Sequence, residues 1–141
     1  MATTEAQAGR VIQEWAAGWA GRDVERVAAV LTDDCVYEDV PMAVVNHGKA
    51  EFRAFARAFL AAVPDFDMKL TSDLSSGDWA AAEWEMSGTQ SGDLLNMPAS
   101  GRTFSVRGAS VFEVAGERIR RCSDYWDAAS WLRQLGFMPQ H

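Results

Sequence analysis

The spacing of the apolar residues changes near Pro64, and this change constrains the fold more than any other feature of the sequence. Before it, Ala8, Val11, Ile12, Trp15, Ala16 and Trp19 recur at the spacing of one helical stripe. Thr4 and Gln7 form a capping box at the start of that helix, and Gly21 stops it. A second, short helix is capped by Asp23 and carries Val24, Val27, Ala28 and Leu31 on one face. Gly48 to Val63 reads as a third, with Phe52, Phe55, Ala56, Phe59, Leu60 and Val63 inward and Pro64 ending it. Only Cys35 to Val40, alternating and closed by Pro41, reads as a strand in this half.

Beyond Pro64 the period is two. Phe66, Met68 and Leu70 alternate with Asp67, Lys69 and Thr71, and Trp79 to Gly88, Thr103 to Val114 and Ile119 to Trp126 continue the pattern. The stretches from Ser75 to Asp78 and from Ala115 to Glu117 are hairpin turns, and Asp127 caps a last helix, Ala128 to Leu135, stopped by Gly136. Helices set apart from a mostly antiparallel sheet predict an α+β fold in which a curved sheet wraps three helices of the N-terminal half and leaves a cone-shaped space. No repeat or low-complexity tract interrupts residues 1–141, which read as one domain.

Composition narrows the partners. With 13 basic against 20 acidic residues the net charge is -7, which argues against nucleic acid and against an anionic membrane surface. Arg118, Arg120 and Arg121 lie beside Glu117 and Asp124 and read as solvated edge charges. The longest apolar run, Ala54 to Val63, is interrupted by Arg57 and falls short of the ~20 residues of a membrane span. The first residues lack a basic start and an apolar signal core, so a cytoplasmic location is expected. Cys35 and Cys122 are too few for a disulfide framework. His47 and His141 cannot build a histidine-rich centre, so no metal is expected, and the carboxylate chemistry set out below calls for no cofactor.

Alternation leaves the strand faces open. In the second long strand Glu83 and Glu85 oppose Trp84 and Met86, and burial preference alone puts the latter pair inside. In the last strand Cys122, Asp124 and Trp126 oppose Ser123, Tyr125 and Asp127. In the first, Cys35, Tyr37 and Asp39 oppose Val36, Glu38 and Val40.

The order of elements and the segment Ser123 to Gly136, Ser-Asp-Tyr-Trp-Asp-Ala-Ala-Ser-Trp-Leu-Arg-Gln-Leu-Gly, resemble the nuclear transport factor 2-like superfamily. Tyr37 to Pro41, Phe55 to Asp65, Gly88 to Gly92 and Leu94 to Arg102 extend the likeness to a SnoaL-type polyketide cyclase or limonene-epoxide hydrolase relative. The resemblance implies that Asp124 is the inward acid/base carboxylate. It also implies that Tyr37 matches the tyrosine holding water in the hydrolases, and that Asp39 matches the general base of ketosteroid isomerases. Glu83 and Glu85 stand where the hydrolases carry an arginine and an aspartate, which removes the cation that keeps paired carboxylates ionised. Trp15 and Ser110 stand where the isomerases place their oxyanion donors, and the histidine that many SnoaL-type cyclases carry near Ser110 is missing. The superfamily includes cyclases, isomerases, hydrolases and binding modules.

The expected chemistry follows from convergence. If Asp39, Glu85 and Asp124 meet in an apolar cone lined by Trp15, Trp19, Phe55, Phe59, Phe112 and Trp126, desolvation and mutual repulsion hold one carboxyl protonated near neutrality. Such a pair can remove a proton α to a carbonyl and return one to an alkoxide, as an intramolecular aldol closure of a hydrophobic polyketide-like substrate requires. Glu83 and Ser110 then join the substrate-binding set. An isomerase, an epoxide hydrolase and a binding module without turnover are the alternatives. The structural alternative for Asp124 is an ion pair with Arg120 or Arg107, and for Cys122 a small core filler. With Glu83 and Glu85 inward, Trp84 and Met86 would form an outer apolar patch, which predicts a homodimer through that face.

Overall fold

Thr4 caps the first helix as its spacing to Gln7 predicts: Gln7 N donates to Thr4 Oγ1 at 3.0 Å and Thr4 N to Gln7 Oε1 at 3.0 Å. In the computed structural model, which describes residues 3–139, this helix is α1 (Glu5–Ala20). It is followed by α2 (Val24–Ala29), β1 (Leu31–Asp39), β2 (Val44–His47) and α3 (Gly48–Ala62). Then come β3 (Asp67–Ser76), β4 (Trp79–Thr89), β5 (Thr103–Ala115), β6 (Arg118–Trp126) and α4 (Ala128–Leu135). His141 lies outside the described residues. Among these, no helix is long and apolar enough to cross a membrane.

The six strands form one sheet in the order β2-β1-β6-β5-β4-β3, antiparallel throughout except where β1 runs parallel to β6. This is the predicted α+β arrangement: a curved sheet with α1 against β3 and β4, and α3 against β1 and β2. The core fills the concave side. Trp15 of α1 packs edge-on against Phe112 of β5, and Trp19 meets Phe52 and Phe59 of α3.

Two elements differ from the sequence reading. Leu31 opens β1 instead of closing the second helix face, because it pairs with Ile119 of β6 and a bulge separates that pairing from Val36. The strand β2, four residues long, has too short a pattern to read alone and exists by pairing with β1 from Val36↔His47 to Asp39↔Val44. Ala43, at a positive φ of 56°, turns the chain between them.

The face of β4 is a correction to the resemblance. Trp84 and Met86 are buried and face α1, whereas Glu83 and Glu85 are exposed on the outer face. There Glu83 accepts from Ser72 Oγ at 2.7 Å, and Glu85 lies opposite Lys69 and Arg107. Water and these neighbours solvate the two carboxylates, and the same register buries a large indole and a thioether. The outer apolar patch on which self-association through Trp84 and Met86 was predicted is therefore absent.

Candidate active site

The parallel pairing of β1 with β6 places Asp39 directly opposite Asp124, so both carboxylates project from the same inner face. One step across the sheet, β5 sets Ser110 opposite Asp124. Ser110 Oγ donates to Asp124 Oδ1 at 2.6 Å, and Cys122 Sγ donates to the same oxygen at 3.2 Å.

Donor direction fixes the remaining protons. An indole N–H only donates. Trp84 Nε1 lies 2.9 Å from Ser110 Oγ, so Ser110 accepts there and spends its own proton on Asp124. Tyr37 Oη accepts from Trp15 Nε1 at 2.8 Å and from Trp19 Nε1 at 3.0 Å. Two donors thus end on Asp124 Oδ1, one of them itself held by a tryptophan, while among the described residues none donates to Oδ2. Asp39 is held differently: its Oδ1 accepts from Trp126 Nε1 at 3.0 Å and from Met42 N at 3.1 Å.

Burial pushes the Asp124 carboxyl up to about 7; the Ser110 and Cys122 donors pull the other way, and the charge of Asp39 adds to the rise. Burial also raises Asp39, opposed by its Met42 and Trp126 donors. Tyr37 and Cys122 are pushed well up, by burial first and by the Asp124 charge second, which keeps both as donors.

Two cavities meet at Asp39, and the inner one also reaches Asp124. An inner chamber of about 50 Å³ is lined by Asp124, Asp39, Trp15, Trp19, Phe55 and Phe59, with Phe66, Met68, Trp84, Met86 and Trp126 completing the wall. An outer chamber of about 440 Å³ shares Asp39, Phe55, Phe59 and Trp126 with it and extends to Asn46, Glu51, Asp93 and Leu95. Gly108 makes the inner wall possible, since a Cβ there would stand 2.5 Å from Trp84 Cη2 and 2.7 Å from Trp126 Cβ.

Of the residues expected at the site, Asp124, Asp39, Trp15, Trp19, Phe55, Phe59 and Trp126 line the chambers. Ser110, Tyr37 and Phe112 are fully buried behind the wall. Tyr37 is a correction: with both lone pairs taken and no exposed surface it cannot hold a water against a substrate. Ser110 bonds Asp124 and lines neither chamber, and Phe112 packs against Trp15. Glu83 and Glu85 are on the far side of the sheet, so two carboxylates converge and not three. Asp124 does not pair with Arg120 or Arg107: Arg120 bonds Glu113 at 3.1 Å. Cys122 is a donor to the carboxylate as well as a core residue. The sequence reading missed Asn46 and Met42, because only β2 and its turn bring them to the site, and it missed the loop residues Asp93 and Leu95.

Residues 9–135 match the sequence profile of the SnoaL-like polyketide cyclases, and the chain belongs to that family. It is 30% identical over 126 residues to the aklanonic acid methyl ester cyclase DnrD of Streptomyces peucetius, a match covering 82% of this chain and 86% of the relative. Among solved structures, TsrD from Streptomyces laurentii superimposes with a TM-score of 0.84 at 27% identity, covering 96% of this chain and 98% of the other. A SnoaL-like protein of Jannaschia sp. CCS1 gives a TM-score of 0.85 at 16% identity, covering 96% and 95%, a likeness of fold.

Proposed function

We propose that this protein is an enzyme that closes a ring in a hydrophobic polyketide-like ester by intramolecular aldol chemistry, with Asp124 as the acid/base. The observation that carries this reading is the placement of Asp124: beside Asp39 at an apolar chamber, with Oδ1 held by two donors and Oδ2 free. Ionised Asp124 removes a proton from a carbon α to a carbonyl. The resulting enolate carbon forms the new C–C bond at a second carbonyl, whose C=O π electrons become the alkoxide. Asp124 then returns its proton to that oxygen, so the product is an isomer of the substrate and the chemistry needs no cofactor.

The committed donors narrow the substrate. All four indoles of the inner chamber already donate, Trp15 and Trp19 to Tyr37, Trp84 to Ser110 and Trp126 to Asp39. An enolate there receives little oxyanion stabilisation from them, which favours a carbon acid that delocalises its own charge, such as a methylene between two carbonyls. The outer chamber adds Glu51 and Asp93 to Asp39 and, among the described residues, is lined by no lysine or arginine. An ionised acid would be repelled, so a neutral ester fits, as the name of the Streptomyces relative also suggests.

The test is turnover of a panel of poly-β-ketone methyl esters, followed by mass spectrometry for products of unchanged mass. Asp124→Asn is expected to lower kcat by about 10³-fold while ligand affinity stays within a few fold. Loss of turnover in Asp39→Asn with Asp124→Asn still active would move the reading to an isomerase-like base at Asp39. Tight binding with no conversion across the panel, in wild type and both variants, would make it a binding module.

A further inference from the structure

The segment joining β4 to β5 is braced from below. Gln90 is fully buried, its Oε1 accepting from Ser100 N at 3.1 Å and its Nε2 donating to Pro98 O at 3.2 Å. Ser91 N and Gly92 N both donate to Ala62 O, at 2.8 and 3.1 Å, and Asp93 Oδ1 accepts from Ala99 N at 3.0 Å. From this frame projects a tight hairpin in which Leu94 and Met97 exchange backbone hydrogen bonds of 2.9 and 2.8 Å.

Its two central residues, Leu95 and Asn96, have positive φ values of 48° and 67°. A two-residue tip with both φ angles positive favours asparagine and glycine. Asn96 suits it. Leu95 does not, because its Cβ crowds the backbone carbonyl in that region. Nor does packing within the chain account for the leucine. Leu94 beside it is only 9% exposed and belongs to the core, whereas Leu95 is 45% exposed. What Leu95 does is line the outer chamber, on the same cavity as Phe55 and Phe59.

We propose that Leu95 is a specificity-determining residue, a preplaced apolar contact that covers the ring body of the substrate in the outer chamber. The disfavoured backbone conformation is tolerated because the bracing of the segment imposes it, and the contact with ligand supplies the reason for a leucine there. This rests on the cyclase reading for the class of ligand. It adds the residue that selects within that class: a substrate with an apolar body reaching the hairpin gains from Leu95, and one too short to reach it does not.

The test is quenching of intrinsic tryptophan fluorescence by methyl anthraquinone-2-carboxylate, a neutral fused-ring ester, with thermal unfolding in parallel. L95G and L95N are expected to raise Kd about fivefold, the cost of losing a half-buried leucine contact, while Tm stays level or rises in L95N. N96G alters the same tip without touching the chamber lining and is expected to leave Kd unchanged. Wild-type affinity in both Leu95 variants would overturn the proposal. A Kd raised equally in N96G would overturn it in favour of loop stiffness, and a lower Tm in L95N would give Leu95 a structural role. If wild type does not bind the ester, the ligand class of the cyclase reading falls and this proposal with it. Binding by wild type that the Leu95 variants share removes this proposal alone.

Discussion

The inner and outer chambers share four side chains, Asp39, Phe55, Phe59 and Trp126, yet they differ in what their polar groups hold. In the inner chamber the donors are spent on one another and on the two aspartates, so the position of the Asp124 Oδ2 atom is decided before any ligand arrives. In the outer chamber Glu51 and Asp93 each give one carboxylate oxygen to a backbone N–H, from His47 at 2.8 Å and from Ala99 at 3.0 Å. Asn46 spends its Nδ2 on Tyr37 O at 3.3 Å. On the proposed function, the outer walls would discriminate by charge and shape and the inner wall would position one proton.

The comparison breaks first if Asp124 is not a desolvated carboxylate. Its folded pKa of about 7 stands above the ordinary 3.8, so between these values the unfolded chain loses the proton before the folded one does. Wild-type stability should fall as pH rises from about 4 to 7 and then level off. Asp124→Asn removes that loss, so the variant should match wild type near pH 4 and exceed it near pH 8 by on the order of 2–4 kcal/mol in denaturant titrations. Parallel stability curves for the two proteins would refute the buried carboxylate.

A smaller effect tests the inner wall. Gly108→Ala would push a methyl group into Trp84 and Trp126, and it should cost about 1–3 kcal/mol in urea unfolding and weaken ligand binding by closing the inner chamber. Unchanged stability would mean that the two indoles move apart freely. The finest test concerns Ser110. Ser110→Ala removes a donor to the Asp124 carboxylate, so the carboxyl should titrate about one unit higher. The rising limb of kcat/KM should shift up in pH accordingly, with rates converging at high pH and Ser110→Thr restoring the profile. A uniform loss at every pH would leave Ser110 a packing role only.

Much of this was legible in the chain. The stripe from Ala8 to Trp19, the capping box at Thr4 and the period-two runs after Phe66 specify their elements locally, because capping and amphipathic burial need only neighbours in sequence. Asp124 and Asp39 were singled out through resemblance, since alternation left the faces of their strands open. The register of β4 shows where resemblance misleads: alternation and burial preference pointed to Trp84 inward, and the structure follows them. The short strand β2 was not legible, since four residues carry too little pattern and its partner is β1.

What the sequence determined by itself is the set of elements other than β2, their order and the alternation along each long strand, since these follow from periodicity and local hydrogen bonding. Tertiary structure alone decided which parity faces inward, that β1 lies parallel beside β6, and hence that Asp39 stands next to Asp124. It also decided that the Ser110 hydroxyl is buried against the Asp124 carboxylate. Those outcomes depend on desolvation and donor direction among residues far apart in the chain. Ser110 and Asp124, or Trp19 and Tyr37, acquire their roles only when the sheet closes over the helices.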